Sequence, residues 1–377
     1  MHRRSLLRTA TAAGIAVPGP RRYDTASTRD VATTHGPYGP LKTADDNGVA
    51  LPDGFTSRVV ARSMNRVGGG RWHAAPDDGA CFADGDGWIY VSNSELPLVG
   101  GTSAIRFDSD GDIKEVYPIL TGSNLNCSGV VTPWNTWLSC EEIFLGKVYE
   151  TDPFGDQPAL ARTAMGRFAH EAVACDTDRG VFYLTEDESD GCLYRFRPGT
   201  WGDLSSGRLD VLCRAGADEV VWEEVPDPQP GPLDRQTRDQ IDTAVRFSGS
   251  AGCQYIDGFC YFATTGDDTV WGYDAQSQTL RPVRATGPED IVGGLSGDIY
   301  AAQDGGAMEI TVTTPEGEVA PVIRLDGHDD SEITGPAFSP DGSRLYFSSQ
   351  RGTSGDSAGS GGITYEVTGP FRTGANG

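Results

Sequence analysis

The chain has 377 residues, enough for one large domain or two smaller ones. Its 54 acidic and 30 basic residues give a formal net charge of -24, which argues against nucleic acid and anionic lipid as partners, since both are polyanions. Glycine is frequent, at 50 residues, and recurrent Asp-Gly and Gly-Asp pairs are typical of tight turns between short strands.

Residues 1–20 have the features of an export signal. Arg3-Arg4 precedes a small, mildly apolar stretch from Ala10 to Pro18 and resembles a twin-arginine signal, which exports folded proteins. The alternative is a basic start that carries no signal. We interpret the polar, Pro- and Gly-rich residues 21–45 as a linker. No other stretch approaches the ~20 apolar residues of a membrane span, so we expect an extracellular, cell-surface or periplasmic protein.

One pattern recurs six times after residue 80. An aromatic-rich strand ends in acidic or polar residues, and a further strand precedes it. The aromatic-rich strands lie at 87–95, 136–142, 180–187, 258–267, 297–304 and 343–350. Each unit is a small antiparallel sheet that cannot bury both faces alone, so radial stacking predicts an all-β, six-bladed β-propeller over residues 46–372. A β-sandwich would need fewer, less regular units.

Two segments stand outside the repeat. Residues 56–61 precede the first unit and can supply a strand that closes the ring. Residues 214–248 are acidic, then Pro-rich, then Arg-rich, and we interpret them as an insertion between blades three and four.

The eight cysteines lack zinc spacing, since no C-x-x-C occurs. If Ile256-Asp257 is a two-residue hairpin loop, Cys253 and Cys260 lie opposite each other within disulfide reach. The alternative is a pair of small buried residues.

The phase of the repeat predicts a site. Successive strands of a blade are antiparallel, so the start of the first strand and the end of the second share one mouth of the propeller. That mouth collects ten carboxylates: Glu95, Glu141, Glu142, Glu171, Glu186, Asp187, Glu289, Asp290, Asp304 and Glu332. Confined carboxylates repel unless cations neutralise them. Many oxygen ligands suit calcium, and the Cys140 thiolate can add iron. Taken singly, each residue can also be a solvated strand end, a turn former or a small buried side chain.

Five segments carry long, specific motifs. They read TPWNTWLSCEE at 132–142, GRFAHEAV at 166–173, YLTED at 183–187, SEITGPAFSPDG at 331–342 and QRG at 350–352. These motifs resemble those of the PhoX-type alkaline phosphatases and their short, uncharacterised relatives, and the resemblance covers about residues 37 to 370.

This resemblance implies an exported six-bladed propeller that hydrolyses phosphate monoesters with an iron and calcium cofactor at its mouth. Metals would polarise the phosphoryl oxygens and stabilise the developing charge. Carried over by motif, Cys140 would be an iron ligand, and Glu171 and Glu332 would be metal ligands.

The chain departs from the family's pattern in four places. A metal-binding Glu of the fourth blade, within RPEG or GGEG, is replaced by Ala251, and the phosphatases' arginine two residues earlier is Gly249. Losing these groups would weaken metal affinity and remove a donor to phosphate. Two motifs of blade five also differ: Glu289-Asp290 stands for Asp-Asn, and Gln303-Asp304-Gly305 for Glu-Asp-Gly.

Three functions remain open. The first is an exported, monomeric, metal-dependent hydrolase of a small phosphorylated substrate, for which the predicted metal ligands are Cys140, Glu142, Glu171, Glu289, Asp290, Asp304 and Glu332. The second is a catalytically degenerate propeller that retains calcium and binds a ligand or partner, which Ala251 and Gln303 favour. The third is a calcium-dependent propeller hydrolase of another bond, such as a lactone. A Ser-His-Asp hydrolase is disfavoured, since the chain has five histidines and lacks a G-x-S-x-G elbow in a strand-turn-helix context.

Overall fold

The computed structural model describes residues 36–267, 269–284, 290–302, 308–356 and 358–373. In these ranges the strands form six antiparallel sheets of four or five strands and one two-stranded hairpin. The predicted all-β, six-bladed propeller is therefore confirmed. The expected export signal and residues 21–35 of the expected linker lie outside the described residues.

Each blade is built mainly from consecutive strands. The strands before the first blade are β1 (Val49–Ala50), β2 (Thr56–Arg62), β3 (Arg66–Val67) and β4 (Gly70–Arg71). Blade one contains β5 (Pro76–Asp84), β6 (Gly87–Ser94), β7 (Gly100–Phe107) and β8 (Ile113–Ser123). Blade two contains β9 (Asn126–Val131), β10 (Trp137–Glu141), β11 (Val148–Thr151) and β12 (Leu160–Ala161). Blade three contains β13 (His170–Asp176), β14 (Val181–Glu186), β15 (Leu193–Thr200), β16 (Asp203–Arg214) and β17 (Val220–Glu224).

The second half of the chain forms the other three blades. Blade four contains β18 (Ser250–Ile256), β19 (Phe259–Thr264), β20 (Thr269–Asp274) and β21 (Thr279–Arg284). Blade five contains β22 (Asp290–Gly293), β23 (Ile299–Ala302), β24 (Glu309–Thr313) and β25 (Val319–Leu325), with β1 at its outer edge. Blade six contains β26 (Ile333–Phe338), β27 (Arg344–Ser349) and β28 (Ile363–Thr368). Short 3₁₀ helices occupy Thr163–Met165, Thr237–Asp239 and Gly352–Ser354.

Strand β2 completes blade six and closes the ring, as residues 56–61 predict. It pairs antiparallel with β28, with Thr56 opposite Thr368. The outer strand of the last blade therefore comes from the N-terminal side of blade one, and it covers the edge of β28 that would otherwise be open to other chains.

Aromatic side chains of the repeated second strand pack between neighbouring blades. Tyr90 of β6 and Tyr346 of β27 are fully buried, and their rings stack with centroids 5.1 Å apart across blades one and six. Trp88 Nε1 donates a hydrogen bond to the Tyr346 hydroxyl over 3.0 Å. Between blades three and four, Tyr183 and Tyr273 meet edge to face at 5.7 Å. The recurring aromatic strand thus supplies large buried areas between blades, and the Tyr346 hydroxyl at the tip of one ring is hydrogen-bonded.

Residues 214–248 add a strand and a loop to blade three. Strand β17 pairs with β16 as the fifth strand of this blade. The loop then returns along the blade, where the Thr237 hydroxyl donates to the Arg167 carbonyl oxygen over 2.9 Å and the Phe247 amide donates to the Gly191 carbonyl oxygen over 2.9 Å.

The turn between β18 and β19 is shifted by one residue from the Ile256-Asp257 turn that would place Cys253 opposite Cys260. The turn residues are Asp257 and Gly258, with φ of 49° and 90°, and Ile256 lies opposite Phe259. A two-residue hairpin turn of this kind needs positive φ at both positions, which a β-branched isoleucine disfavours. Cys253 and Cys260 are therefore diagonal rather than opposite, and both are buried free thiols whose sulfur atoms are 3.4 Å apart.

Within the described ranges, no helix combines the length and apolar character needed to cross a membrane.

Candidate metal centre

In every blade, the first residues of the first strand lie opposite the last residues of the second strand, at the same end of the sheet. Pro76 is opposite Ser94 in blade one, and Ile333 is opposite Ser349 in blade six. Blades two to five follow the same register, with the pairs Asn126–Glu141, His170–Glu186, Ser250–Thr264 and Asp290–Ala302. The predicted common mouth therefore has a structural basis in every blade.

A β-bulge at this end of the sheet determines which side chains approach the mouth. In each of blades one to four, two residues of the first strand oppose one residue of the second, directly after the first paired position. The first bulged residues are Asp77, Cys127, Glu171 and Ala251. A bulge bends its strand and redirects a side chain. Four blades thus place one bulged side chain each at equivalent positions.

Three side chains from blades two and three come together at the mouth. Ligand atoms of Cys127, Glu142 and Glu171 all lie within 4.8 Å of one another, and each residue is partly exposed. The Cys127 thiol donates a hydrogen bond to Glu171 Oε1 over 3.3 Å. Cys127 and Glu171 come from bulges, whereas Glu142 follows β10 and is held by the bond from its amide to the Leu125 carbonyl oxygen, 2.9 Å. We call these three residues the ligand triad.

Further carboxylates surround the ligand triad. Glu142 is in side-chain hydrogen-bonding contact with Glu95, Glu171 and Asp187. Gln350 Nε2 donates to Glu95 Oε2 over 2.6 Å. The mouth therefore brings together carboxyl groups that belong to three different blades.

Burial and mutual repulsion disfavour negative charge in this cluster. Burial, and then the charges of Glu95 and Asp187, raise the pKa of Glu142 to about 9. Burial and the charge of Glu142 raise the pKa of Glu171 well above its usual value. Burial also raises the pKa of the Cys127 thiol, with Asp77 and Glu171 adding to the effect. Without a cation, such groups hold protons at neutral pH.

The chemistry of the ligand triad fits a metal ion. A bound cation removes the repulsion and displaces the protons, since metal ligands bind in their deprotonated forms. A thiolate beside two carboxylates suits a transition metal such as iron. The surrounding carboxylates offer the hard oxygen ligands that calcium prefers.

Cys127, and not Cys140, is the cysteine of the ligand triad. Cys140 lies opposite the blade-two bulge, and its side chain is fully buried in an apolar cluster with Leu138 and Phe182. Burial raises the pKa of the Cys140 thiol, with the charges of Glu171 and Asp78 adding to it. The signal for Cys127 was present in the sequence, because Cys127 and Glu171 both open the first strand of a blade.

Two of the predicted mouth carboxylates point away from the cluster. Glu141 Oε2 accepts a hydrogen bond from the Lys147 amide over 3.1 Å. Glu186 is fully buried and pairs with Arg238 Nη1 over 2.9 Å. Their chain neighbours Glu142 and Asp187 reach the cluster instead, because successive residues at a strand end face opposite sides.

The remaining predicted ligands are not members of the ligand triad. Glu332 forms an ion pair with Arg351 Nη2 over 2.9 Å, and the charge of Arg351 also acts on Glu95. Asp290 opens β22 opposite Ala302. Glu289, Gln303 and Asp304 lie outside the described residues.

Small residues, Ala251 and Gly249, occupy the two substituted positions of blade four. Ala251 is the bulged residue, 6% exposed, and its carbonyl oxygen accepts a hydrogen bond from the Thr185 hydroxyl over 3.0 Å. Gly249 has φ of 64°, and a Cβ built there would lie 2.8 Å from Thr265 Oγ1. The fourth blade thus adds neither a carboxylate nor a guanidinium at these two positions.

Comparisons with known proteins agree with this architecture. The family model described as alkaline phosphatase PhoX matches residues 90–152 and 145–257. The structure is similar to that of Pseudomonas fluorescens PhoX in complex with vanadate, a transition state analogue. That similarity has a TM-score of 0.68 and 17% identity over 88% of this chain and 97% of that one. It is also similar to XC5397 from Xanthomonas campestris, a gluconolactonase, with a TM-score of 0.51 and 14% identity over 89% of this chain and 99% of that one.

No curated protein matches the chain in sequence. The two structural likenesses establish the propeller fold, and the family model matches a region that contains the complete ligand triad. Residues 90–257 of the chain are similar to the PhoX alkaline phosphatase family.

Proposed function

We propose that this protein is an exported, metal-dependent hydrolase of phosphate monoesters that acts at the mouth of the propeller. One observation carries the proposal: Cys127, Glu142 and Glu171 bring three ligand atoms within 4.8 Å of one another. The similarity of residues 90–257 to the PhoX alkaline phosphatase family supports phosphate esters as substrates. Three metal-ligating groups in a confined, partly exposed place are typical of a catalytic metal site rather than of a solvated strand edge.

The ligand triad would hold a transition metal, for which we propose iron, and Glu95 and Asp187 would add oxygen ligands for calcium. When bound, the metals polarise the phosphoryl oxygens and offset the charge that develops during hydrolysis. The bulges of blades two and three fix Cys127 and Glu171 on paired strands, which is a more rigid support than a free loop.

Polar residues of blade six position the surrounding groups. Gln350 holds one oxygen of Glu95 through its 2.6 Å hydrogen bond. Arg351 binds Glu332, and its guanidinium has five N–H groups, so it can also donate to an oxygen of the phosphoryl group. We therefore assign to Arg351 a role in binding the substrate anion.

A specific observation favours the second candidate, a catalytically degenerate propeller that keeps calcium and binds a ligand. The blade-four bulge carries Ala251, and Gly249 stands where the phosphatases have an arginine. With fewer charged groups, the site would bind metal and phosphate more weakly.

Elemental analysis of the purified exported protein, paired with a chromogenic phosphate-ester assay with and without calcium, separates the two functions. Bound iron and turnover support the hydrolase. Calcium alone without turnover supports the degenerate propeller and refutes the hydrolase.

A matched pair of variants tests the site itself. Glu142→Gln should abolish turnover and reduce bound metal, since Glu142 contacts the other members of the cluster. Glu141→Gln makes the same replacement of one carboxylate oxygen by an amide nitrogen in the neighbouring residue, but it affects a carboxylate that accepts a hydrogen bond from the Lys147 amide. It should keep its metal, and equal losses in both variants would contradict the proposed ligand set.

A further inference from the structure

Exposed apolar side chains lie in two loops that follow the carboxylates Glu95 and Glu142 in the chain. Leu98 is 82% exposed, Val99 66% and Phe144 54%. Leu98 and Val99 lie in the loop between β6 and β7, and Phe144 lies in the loop between β10 and β11. We call these three residues the apolar rim.

The two loops of the apolar rim are hydrogen-bonded to one segment between them. The Leu98 amide donates to Asn124 Oδ1 over 2.8 Å, and the Leu125 amide donates to the Leu96 carbonyl oxygen over 3.2 Å. The Glu142 amide in turn donates to the Leu125 carbonyl oxygen over 2.9 Å. The two loops that carry the rim, one from blade one and one from blade two, are therefore held beside each other.

Chain geometry keeps the apolar rim close to the carboxylate cluster. Leu98 follows Glu95 by three residues, and Phe144 follows Glu142 by two. A fully extended chain advances at most ~3.6 Å per residue, so the backbones of these pairs lie within about 11 Å and about 7 Å of each other.

The backbone of this region is held in an uncommon conformation. Leu98, Leu125 and Leu145 have φ of 67°, 43° and 59°. Residues with a side chain rarely adopt the left-handed region, and such strain concentrates where a binding surface is preformed. Leu98 belongs to the apolar rim, Leu145 follows Phe144, and Leu125 lies in the segment between the two loops. The shape of the rim is therefore set by the fold before any ligand binds.

We propose that the apolar rim binds the alcohol part of the substrate, so that aryl and other apolar phosphate monoesters are preferred over sugar and polyol phosphates. This inference rests on the proposed function. A phosphate monoester joins an anionic group to an organic group, and the rim borders the place where the anionic group would bind. An exposed apolar patch beside convergent polar groups is typical of a ligand site.

Charged groups lie instead beside blade three, the neighbour of blade two. Arg238, in the loop after β17, forms ion pairs with Glu186, Glu188 and Asp190 at distances of 2.9, 3.8 and 3.2 Å. An apolar substituent would gain nothing from that charged side but would cover exposed carbon atoms on the rim.

The test compares two esters. For 1-naphthyl phosphate and glycerol 2-phosphate, the ratio of kcat/KM values should favour the naphthyl ester in the metal-loaded wild type. Leu98→Ser and Phe144→Ser should each lower this ratio about fivefold, the loss expected when part of one apolar contact is removed. Leu160→Ser is the matched control, because Leu160 is 49% exposed on β12 and lies outside the rim. An unchanged ratio in both rim variants overturns the inference.

A binding measurement separates this inference from the proposed function. Calorimetric titration with 1-naphthylphosphonate and with methylphosphonate, neither of which can be hydrolysed as an ester, needs no turnover. If no ester is hydrolysed but the naphthyl compound binds more tightly and only rim variants lose that preference, the proposed function fails and the rim inference stands. If esters are hydrolysed with no preference, the reverse holds. Rim variants that dissociate a wild-type dimer while the ester ratio stays constant would identify an interface between copies and overturn the inference.

Discussion

The Cys127 thiol and the Glu171 carboxylate are joined by a 3.3 Å hydrogen bond, and both residues are the first bulged positions of neighbouring blades. The repeat therefore supplies two chemically different ligands from one structural position. Without a cation, burial keeps protons on both the thiol and the carboxyl group, and a metal ion can take the place of those protons.

Cys127→Ala should reduce bound metal, whereas Cys140→Ala should not. Even changes outside the ligand set lower metal affinity about 10-fold or more, so removing the Cys127 sulfur should lower retained iron at least about tenfold after dialysis against a chelator. Elemental analysis of the two variants gives the result. Cys140→Ala should instead lower the melting temperature, because it leaves a cavity in an apolar cluster. Loss of iron in the Cys140 variant alone would reverse the assignment.

Ala251→Glu should strengthen metal binding. Ala251 occupies the blade-four bulge, equivalent to Cys127 in blade two and Glu171 in blade three. An added carboxylate supplies another oxygen ligand, and calcium affinity rises with the number of charged ligands. Calcium titration should give an affinity about tenfold higher, equivalent to about 1.4 kcal/mol. Ala251→Gln, which has the same size without the charge, should show no such gain, and equal gains in both variants would argue against a ligand role.

Arg238→Met should destabilise the fold at pH 8. Arg238 is the cation paired with Glu186, whose side chain is fully buried. Removing one partner of a buried ion pair costs about 3 kcal/mol or more. Urea unfolding measures this loss, and Arg235→Met is the control, since Arg235 and Asp242 are 61% and 90% exposed. The control should change stability by less than about 1 kcal/mol. The double variant Glu186→Gln/Arg238→Met should recover part of the loss.

Stability should depend on the titration of Glu186. Burial raises the pKa of Glu186 to about 7, although the charge of Arg238 opposes the shift. The folded state therefore binds this proton more tightly than the unfolded state, where the pKa is about 4.3. The stabilisation that this proton gives the folded state is therefore complete below about pH 4.3. It is lost as the pH rises through the folded-state pKa of about 7. Between pH 5 and pH 8, the wild type should lose about 2 to 3 kcal/mol more than Glu186→Gln in urea unfolding. Parallel pH profiles for the two proteins would contradict the prediction.

The sequence predicts the fold well because its main signals are periodic. The aromatic strand recurs with a constant relation to the turns around it, and the structure uses the buried rings of Tyr90 and Tyr346 to join adjacent blades. The closing strand was also predictable, because residues 56–61 form a strand with no partner of their own within a repeat unit.

The site was harder to predict because its side chains depend on a local irregularity. A bulge shifts the register by one residue, so counting along β9 and β10 does not reveal that Cys127 approaches Glu171 while Cys140 faces an apolar cluster. The same alternation separates Glu141 from Glu142 at the end of β10. Sequence proximity predicts the region of the candidate site, but only the register decides which side chains lie together.

The pairing of β2 with β28 also constrains the order of folding. Thr56 and Thr368 are partners although 312 residues separate them along the chain. Contacts within a blade are local and can form while the protein is being synthesised, whereas this pairing must await the last blade. Between the formation of β26–β28 and the docking of β2, the outer edge of β28 is unpaired, and another nascent chain can join it. A second chain's β2 fits that edge as well as the protein's own, so strand exchange between copies is the characteristic misfolding hazard of this architecture.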